Sequence, residues 1–277
     1  MNNVIDFRSG NLFDKLYEHL ALPDSTFLGT RITKKMILQN NDLSNSDKKL
    51  VNDVIQSVEW LNTLKSETLN IPTYVTETVE YIEVDVLKIS LKADTRHREK
   101  LKSIAKLFHT LIPYPVIFLL ELNGEVALSL ADKRVNQADC SKLVIENYYN
   151  SRWFDIGNLK DNEIEFLCDF SLKNVSRVNY YELFQDFISK FIALEISYIS
   201  GTYEIQEIPP APDMLSDIEN SNAIKKQLLN DLMLLKSELK NIRKKIKNET
   251  HMNIKLKLNI KAKKIKKEMS VIMEKII

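Results

Sequence analysis

Val116-Ile117-Phe118-Leu119-Leu120-Glu121-Leu122-Asn123-Gly124-Glu125-Val126-Ala127-Leu128-Ser129-Leu130 is the stretch on which the fold turns. Its first five residues are apolar without interruption and have the length of a strand; a strand lacking polar alternation is one covered on both faces. Asn123-Gly124 then supplies two residues that tolerate the positive φ required at both central positions of a type I′ turn. The returning segment alternates, with Val126, Leu128 and Leu130 in phase, before it reaches Asp132-Lys133-Arg134. A β-hairpin in mid-chain therefore anchors a sheet.

Toward the amino end, Leu101, Ile104, Ala105, Phe108 and Leu111 mark one face of a helix over residues 97–111, which Pro113 stops. Residues 79–91 are β-branched and alternating. Ile82, Val84 and Val86 keep one phase and Leu87, Ile89 and Leu91 the other, as a bulge or a strand buried on both faces requires. Thr68 to Thr73 reads as a shorter strand before it. Ser44 with Asp47 three residues on has the form of a capping box. The helix it opens is expected to run to Leu64, with Leu50, Val54, Ile55, Val58 and Leu61 as its buried stripe and Trp60 at the edge. A short helix carries Lys34, Lys35 and Met36, and Leu12, Phe13, Leu16, Tyr17 and Leu20 stripe another that ends before Pro23.

Beyond the hairpin, a strand is expected at Leu143 to Ile145. A helix follows over 180–200, striped by Phe184, Phe187, Ile188, Phe191 and Ile192. This order predicts an α+β domain over residues 1–207, a mixed or antiparallel sheet flanked by helices. Ile208-Pro209-Pro210-Ala211-Pro212 favours an extended, semi-rigid form, so residues 208–217 read as a spacer. Residues 218–277 then form a basic helical segment, a coiled coil or a helical hairpin.

From Ser221 to Ile277 there is no Gly, Pro or aromatic residue, and sixteen Lys and Arg face five Asp and Glu. That segment carries +11. Because the whole chain is +1, the preceding 220 residues carry −10. Leu228, Leu232, Leu235, Leu239, Ile242 and Ile246 alternate steps of four and three, the seam of a coiled coil and the expected partner interface. Continuing that register meets the polar Glu249 and Asn253 before Leu256 and Ile260 restore it, while Leu258, Ile265, Met269, Ile272 and Ile276 follow a shifted register. Either one helix carries a stutter, or the chain folds back between Asn248 and His251. Lys255, Lys257, Lys261, Lys263, Lys264, Lys266 and Lys267 are dense enough to neutralise phosphates, with release of condensed counterions. The lack of aromatic residues favours a duplex over stacked single strands. A solvated helix face, or docking on the acidic body of another copy or of a partner protein, explains the same lysines.

Composition limits the chemistry. With 44% hydrophobic and 28% charged residues the chain is of ordinary globular make-up. No run of about twenty apolar residues and no apolar leader core is present, which points to a cytoplasmic protein without membrane insertion. Cys140 and Cys168 stand far apart as expected thiols. The five glycines stand singly, so there is no phosphate-cradling or dinucleotide loop. The four histidines, His19, His97, His109 and His251, form no metal-ligand spacing. No cofactor or metal is expected, with one exception. A helix bearing Glu59, strands ending in Glu83-Val84-Asp85, a helix and a further strand follow the order of a restriction-endonuclease-like core, whose carboxylates hold Mg²⁺. The lysine expected two residues past the second carboxylate is absent, because Asp85 stands there, and Lys88 falls on the other sheet face unless a bulge intervenes. Arg31, Lys34 and Lys35 form a second basic group for nucleic acid, placed with Lys133-Arg134 on one edge of the domain.

Several runs taken together resemble a known family. Leu22-Pro23, Arg31-Ile32-Thr33-Lys34-Lys35, Trp60, Lys65, Glu67-Thr68-Leu69-Asn70-Ile71, Ile112-Pro113-Tyr114-Pro115-Val116-Ile117-Phe118, Lys133 and Trp153 are similar in order and spacing to the prokaryotic domain-of-unknown-function family four-three-nine-one. Glu249, Asn253 and Asn259 in the Lys-rich tail extend the resemblance over nearly the whole chain. Thr33 replaces the proline of the family's Ile-Pro-Lys-Lys run, and Asp132-Lys133 replaces Tyr-Lys. The resemblance implies a companion of superfamily-2 helicases and DNA methyltransferases in restriction-like, anti-phage gene clusters, and supplies no catalytic residue. The expected function is thus a non-catalytic accessory subunit that joins a helicase or methyltransferase and touches duplex DNA. The alternatives are a metal-dependent nuclease, active or degenerate, built on Glu59, Glu83 and Asp85, and a homo-oligomeric scaffold without nucleic acid.

Overall fold

Asn11 accepts the backbone N–H groups of Phe13 and Asp14 and so opens α1 (Leu12–His19), whose Leu12, Phe13 and Leu16 are buried. The computed structural model describes residues 6–39, 43–136, 143–204 and 215–276. After α1 come β1 (Phe27–Ile32), α2 (Lys34–Leu38) and α3 (Asn45–Asp53). Ser44 and Asp47 close the expected capping box on α3. That helix stops at Asp53, however, and residues expected to continue it form the strand β2 (Ile55–Lys65). The physical reason lies in two bulges, between Ile55 and Ser57 and between Trp60 and Asn62. Each extra residue stretches the two-residue period. Ile55, Val58, Leu61 and Leu64 thus recur at intervals of three and are all buried, which imitates a helical stripe.

The short helix α4 (Ser66–Leu69) occupies the start of the stretch expected as a strand at 68–73. Two-residue strands β3 (Tyr74–Val75) and β4 (Glu80–Tyr81) pair with each other before β5 (Glu83–Leu91). The two hydrophobic phases of β5 reflect burial on both faces. Its register against β6 (Val116–Leu122) runs from Asp85 to Ser90 without a break. A 3-10 turn over Thr95–Lys100 and α5 (Leu101–Leu111) form the crossover. Asn123 and Gly124 both take positive φ, 53° and 83°, and turn β6 into β7 (Glu125–Val135), as the Asn-Gly pair predicts. Then follow β8 (Leu143–Asn150), α6 (Asp161–Asp169) and α7 (Tyr180–Ser200).

The six-stranded sheet has the order β1-β2-β5-β6-β7-β8. Only β5 and β6 run parallel, joined through α5, so this is the expected α+β domain with a mixed sheet. One face packs Val58, Leu87, Ile89, Phe118 and Leu120 against Val51 of α3 and Leu101, Ile104 and Phe108 of α5. Toward α1 the Lys88 ammonium lies 3.7 Å from the centre of the Phe13 ring. Phe166 of α6 and Phe170 just after it meet Phe187 and Phe191 of α7 in an aromatic cluster. These helices also enclose a buried ion pair, Lys190 with Asp169 at 2.8 Å.

The chain divides into two compact units, residues 1–191 and 192–277. The second contains α8 (Leu215–Asn248) and α9 (Met252–Ile276). Ile208 to Pro212, read as the spacer, lies outside the described residues, as does Cys140; α8 begins three residues before the expected boundary at 218. Between α8 and α9 the chain folds back, so the hairpin alternative holds. Leu235, Leu239, Ile242 and Ile246 of α8 pack on Leu258, Ala262, Ile265 and Met269 of α9. Among the described residues no helix is long and apolar enough to cross a membrane.

Candidate functional site

Two places concentrate charge in an unusual setting: one end of the sheet in the first unit, and the helical hairpin of the second. At the sheet end, Thr63 stands opposite Asp85 and Lys65 opposite Glu83, because β2 and β5 pair antiparallel. The Trp60 indole N–H donates to Asp85 Oδ1 at 3.2 Å and to Thr63 Oγ1 at 3.0 Å. Asp85 is wholly buried, and its Oδ2 has no hydrogen-bond partner. Burial pushes its carboxyl up to about 7, opposed first by the hydrogen bond with Thr63. Lys65 and Glu83 pair at 3.2 Å.

Lys133 reaches the same end from β7. Its ammonium donates to the carbonyls of Ile112, at 2.5 Å, and Tyr114, at 2.7 Å, and so ties down the Pro-rich loop between α5 and β6. Burial lowers its pKa to about 7, opposed by the charge of Asp85. His109, buried beside Ser129 at 3.0 Å, is held well below the usual imidazole range by burial and then by Lys133. Trp60, Lys65, Ile112, Tyr114 and Lys133 are among the residues that carry the family resemblance, and they meet here. Their geometry is that of a buried polar brace which fixes a loop to strand ends.

The three carboxylates weighed as a metal site do not assemble. Glu59 stands opposite Lys88 in the β2–β5 register and therefore shares its face; Asp85, three residues before Lys88 on an unbroken strand, lies on the other. Lys88 instead pairs with Glu121 at 2.8 Å. Among the described residues no group of three His, Cys, Asp or Glu side chains is placed to hold a metal ion. The sequence order of the carboxylates was legible, but their facing was not, because the helix expected around Glu59 is a bulged strand.

The proposed basic edge separates as well. Arg31 lies on β1 at one margin of the sheet, with Lys34 and Lys35 on the adjoining α2, whereas Lys133 and Arg134 lie on β7, four places away in the sheet order. Lys133 is buried and Arg134 pairs with Glu146 at 2.6 Å. Lys34 keeps company with Lys92, and its ammonium pKa is lowered by burial and by that neighbouring charge. Arg31, Lys34 and Lys35 remain as a small basic group alone. Cys168 is a half-buried free thiol, pushed up in pKa by burial and by Asp169 and Glu165.

In the hairpin, four of the six residues of the seam offered to a partner are packed against the chain's own α9. Leu239 and Ile242 are buried against α9, with Leu235 and Ile246 packed beside them; Leu232 is also buried, and Leu228 is half-buried. The correction has a simple cause: a three-residue turn allows α9 to return along α8, and an intramolecular seam forms at no cost in association entropy. Glu249 accepts from the backbone N–H of Thr250 and of His251, both at 2.9 Å, and steadies that turn. Lysines point outward. Lys257, Lys261, Lys263, Lys264, Lys266 and Lys267 are exposed and Lys255 half-exposed. Lys261 reaches across the hairpin to Glu238 at 2.7 Å, and Lys264 lies 3.9 Å from Glu268.

The sequence matches the model of a family described as a domain of unknown function, DUF4391, over residues 20–269. No curated protein and no solved structure matches.

Proposed function

The chain belongs to the DUF4391 family, and from that premise we propose that it is a non-catalytic accessory subunit of a cytoplasmic prokaryotic DNA restriction or anti-phage complex. In this reading it assembles with a helicase or DNA methyltransferase and contacts duplex DNA through the hairpin α8–α9. The observation that carries the reading is the charge division, −10 on the first 220 residues and +11 on the last 57, with the lysines of α9 turned to solvent. An exposed lysine array on a stiff element neutralises phosphates without reading bases, and an acidic body repels the duplex elsewhere. The buried state of Asp85 and the opposite facing of Glu59 give the nuclease alternative no geometric support.

Co-expression with the products of its neighbouring genes provides the test. The full chain is expected to co-purify with one of them and to be retained on duplex DNA at low salt, and a chain ending at residue 204 to lose at least one of these properties. If both survive the truncation, the reading fails.

A further inference from the structure

The hairpin consumes only one of the two apolar registers written into α9. Leu258, Ala262, Ile265 and Met269 enter the seam with α8. Leu256 and Ile260, which continue the other register, and Met252 one turn before them do not: Met252, Leu256 and Ile260 are 78%, 58% and 63% exposed. At four-residue spacing they form a ridge on one helix face, away from the seam. Between Met252 and Lys267 there are seven lysines and neither Asp nor Glu, so the ridge stands in an uninterrupted cationic field. Resting on the reading of the chain as an accessory subunit that assembles with a partner protein, we propose that this ridge is a docking site for an acidic amphipathic helix of that partner.

Physical complementarity selects that occupant. A ridge at i, i+4 and i+8 is the form that packs into the grooves of another helix, and the flanking lysines call for carboxylates on either side of the partner's apolar stripe. A second copy of α9 is disfavoured, since it brings seven lysines against seven. Duplex DNA satisfies the lysines and leaves the three apolar side chains in water. An anionic membrane takes both, but the apolar face of a helix lying in the lipid interface carries Trp or Phe beside Leu, and here Leu256 has no such companion. None occurs after Tyr203.

The test uses the full chain and its variant Met252→Ser/Leu256→Ser/Ile260→Ser, which keeps every lysine and changes only exposed positions. The probe is a fluorescent synthetic helix with Leu at i, i+4 and i+8 flanked by Glu, compared with a scrambled peptide of equal composition, phosphatidylglycerol vesicles and a duplex. The ordered acidic peptide is expected to bind about ten-fold or more tightly than its scrambled form, and the triple variant to lose that margin. Salt-dependent duplex retention should be the same for both proteins. Equal binding of ordered and scrambled peptides, unchanged binding by the triple variant, or vesicle capture without peptide capture overturns the proposal. Loss of duplex retention and co-purification in the truncated chain tests the assembly reading separately, so the two failures are distinguishable.

Discussion

Asp85 carries its charge, when it is ionised, in the interior of the sheet, with Oδ2 facing no donor. Its folded-state pKa is raised from 3.8 to about 7, so the folded chain keeps a proton that the unfolded chain gives up. The stability from that proton is fully present below about pH 4 and is lost as pH rises through about 7. Lys133 acts from the other side. Its pKa is depressed from 10.5 to about 7, and its contribution is present at high pH and lost as pH falls toward 7. Asp85→Asn keeps an acceptor for the Trp60 N–H and removes the acid limb. Urea unfolding between pH 4 and pH 8 should show the wild-type chain losing about 1–3 kcal/mol across that range relative to the variant. Parallel profiles for the two proteins would sink this account of the brace. The sequence displayed Asp85, Trp60 and Lys133 as letters in separate segments. Nothing in their spacing announced that one sheet end collects them, because that convergence depends on strand order and on the two bulges of β2.

Among the elements, those whose pattern has a single period were legible. The Asn123-Gly124 turn, the both-face burial of β6 and the amphipathic face of α5 follow from local chemistry alone. β2 was not, since its bulges convert alternation into a three-residue recurrence, and β1 was missed because all its residues except Ile32 are exposed. The hairpin was legible as an alternative: two competing registers in α9 meant that one must be left over. The seam then makes a specific demand. Ile242 and Leu239 are the buried α8 residues that pack against α9, and truncating either to Ala should destabilise the hairpin by about 2–4 kcal/mol. Circular dichroism during thermal unfolding reads this as an earlier loss of helix, while the sheet domain's transition stays in place. Ala at Leu234, which is exposed, is the control. An Ile242→Ala protein that melts like the wild type contradicts the packing described.

At the scale of the whole molecule, two bodies of opposite charge are joined in a chain whose net charge of +1 conceals both. The division was visible from residue counts. What the counts left open was which of the two, apolar seam or lysines, the chain itself covers, and the fold places the seam inside and the lysines outside. Such an array predicts affinity governed by counterion release. The most direct measurement is the equilibrium constant for a mixed-sequence duplex across a salt series, for the full chain and for Lys257→Gln/Lys263→Gln/Lys266→Gln/Lys267→Gln. Each phosphate contact contributes about 0.9 to the slope of log K against log salt, so the quadruple variant should bind more weakly at low salt with a slope smaller by roughly 2–4. Equal slopes and equal affinities in the two proteins, or no duplex binding by the full chain at low salt, would contradict the proposal that the hairpin meets DNA.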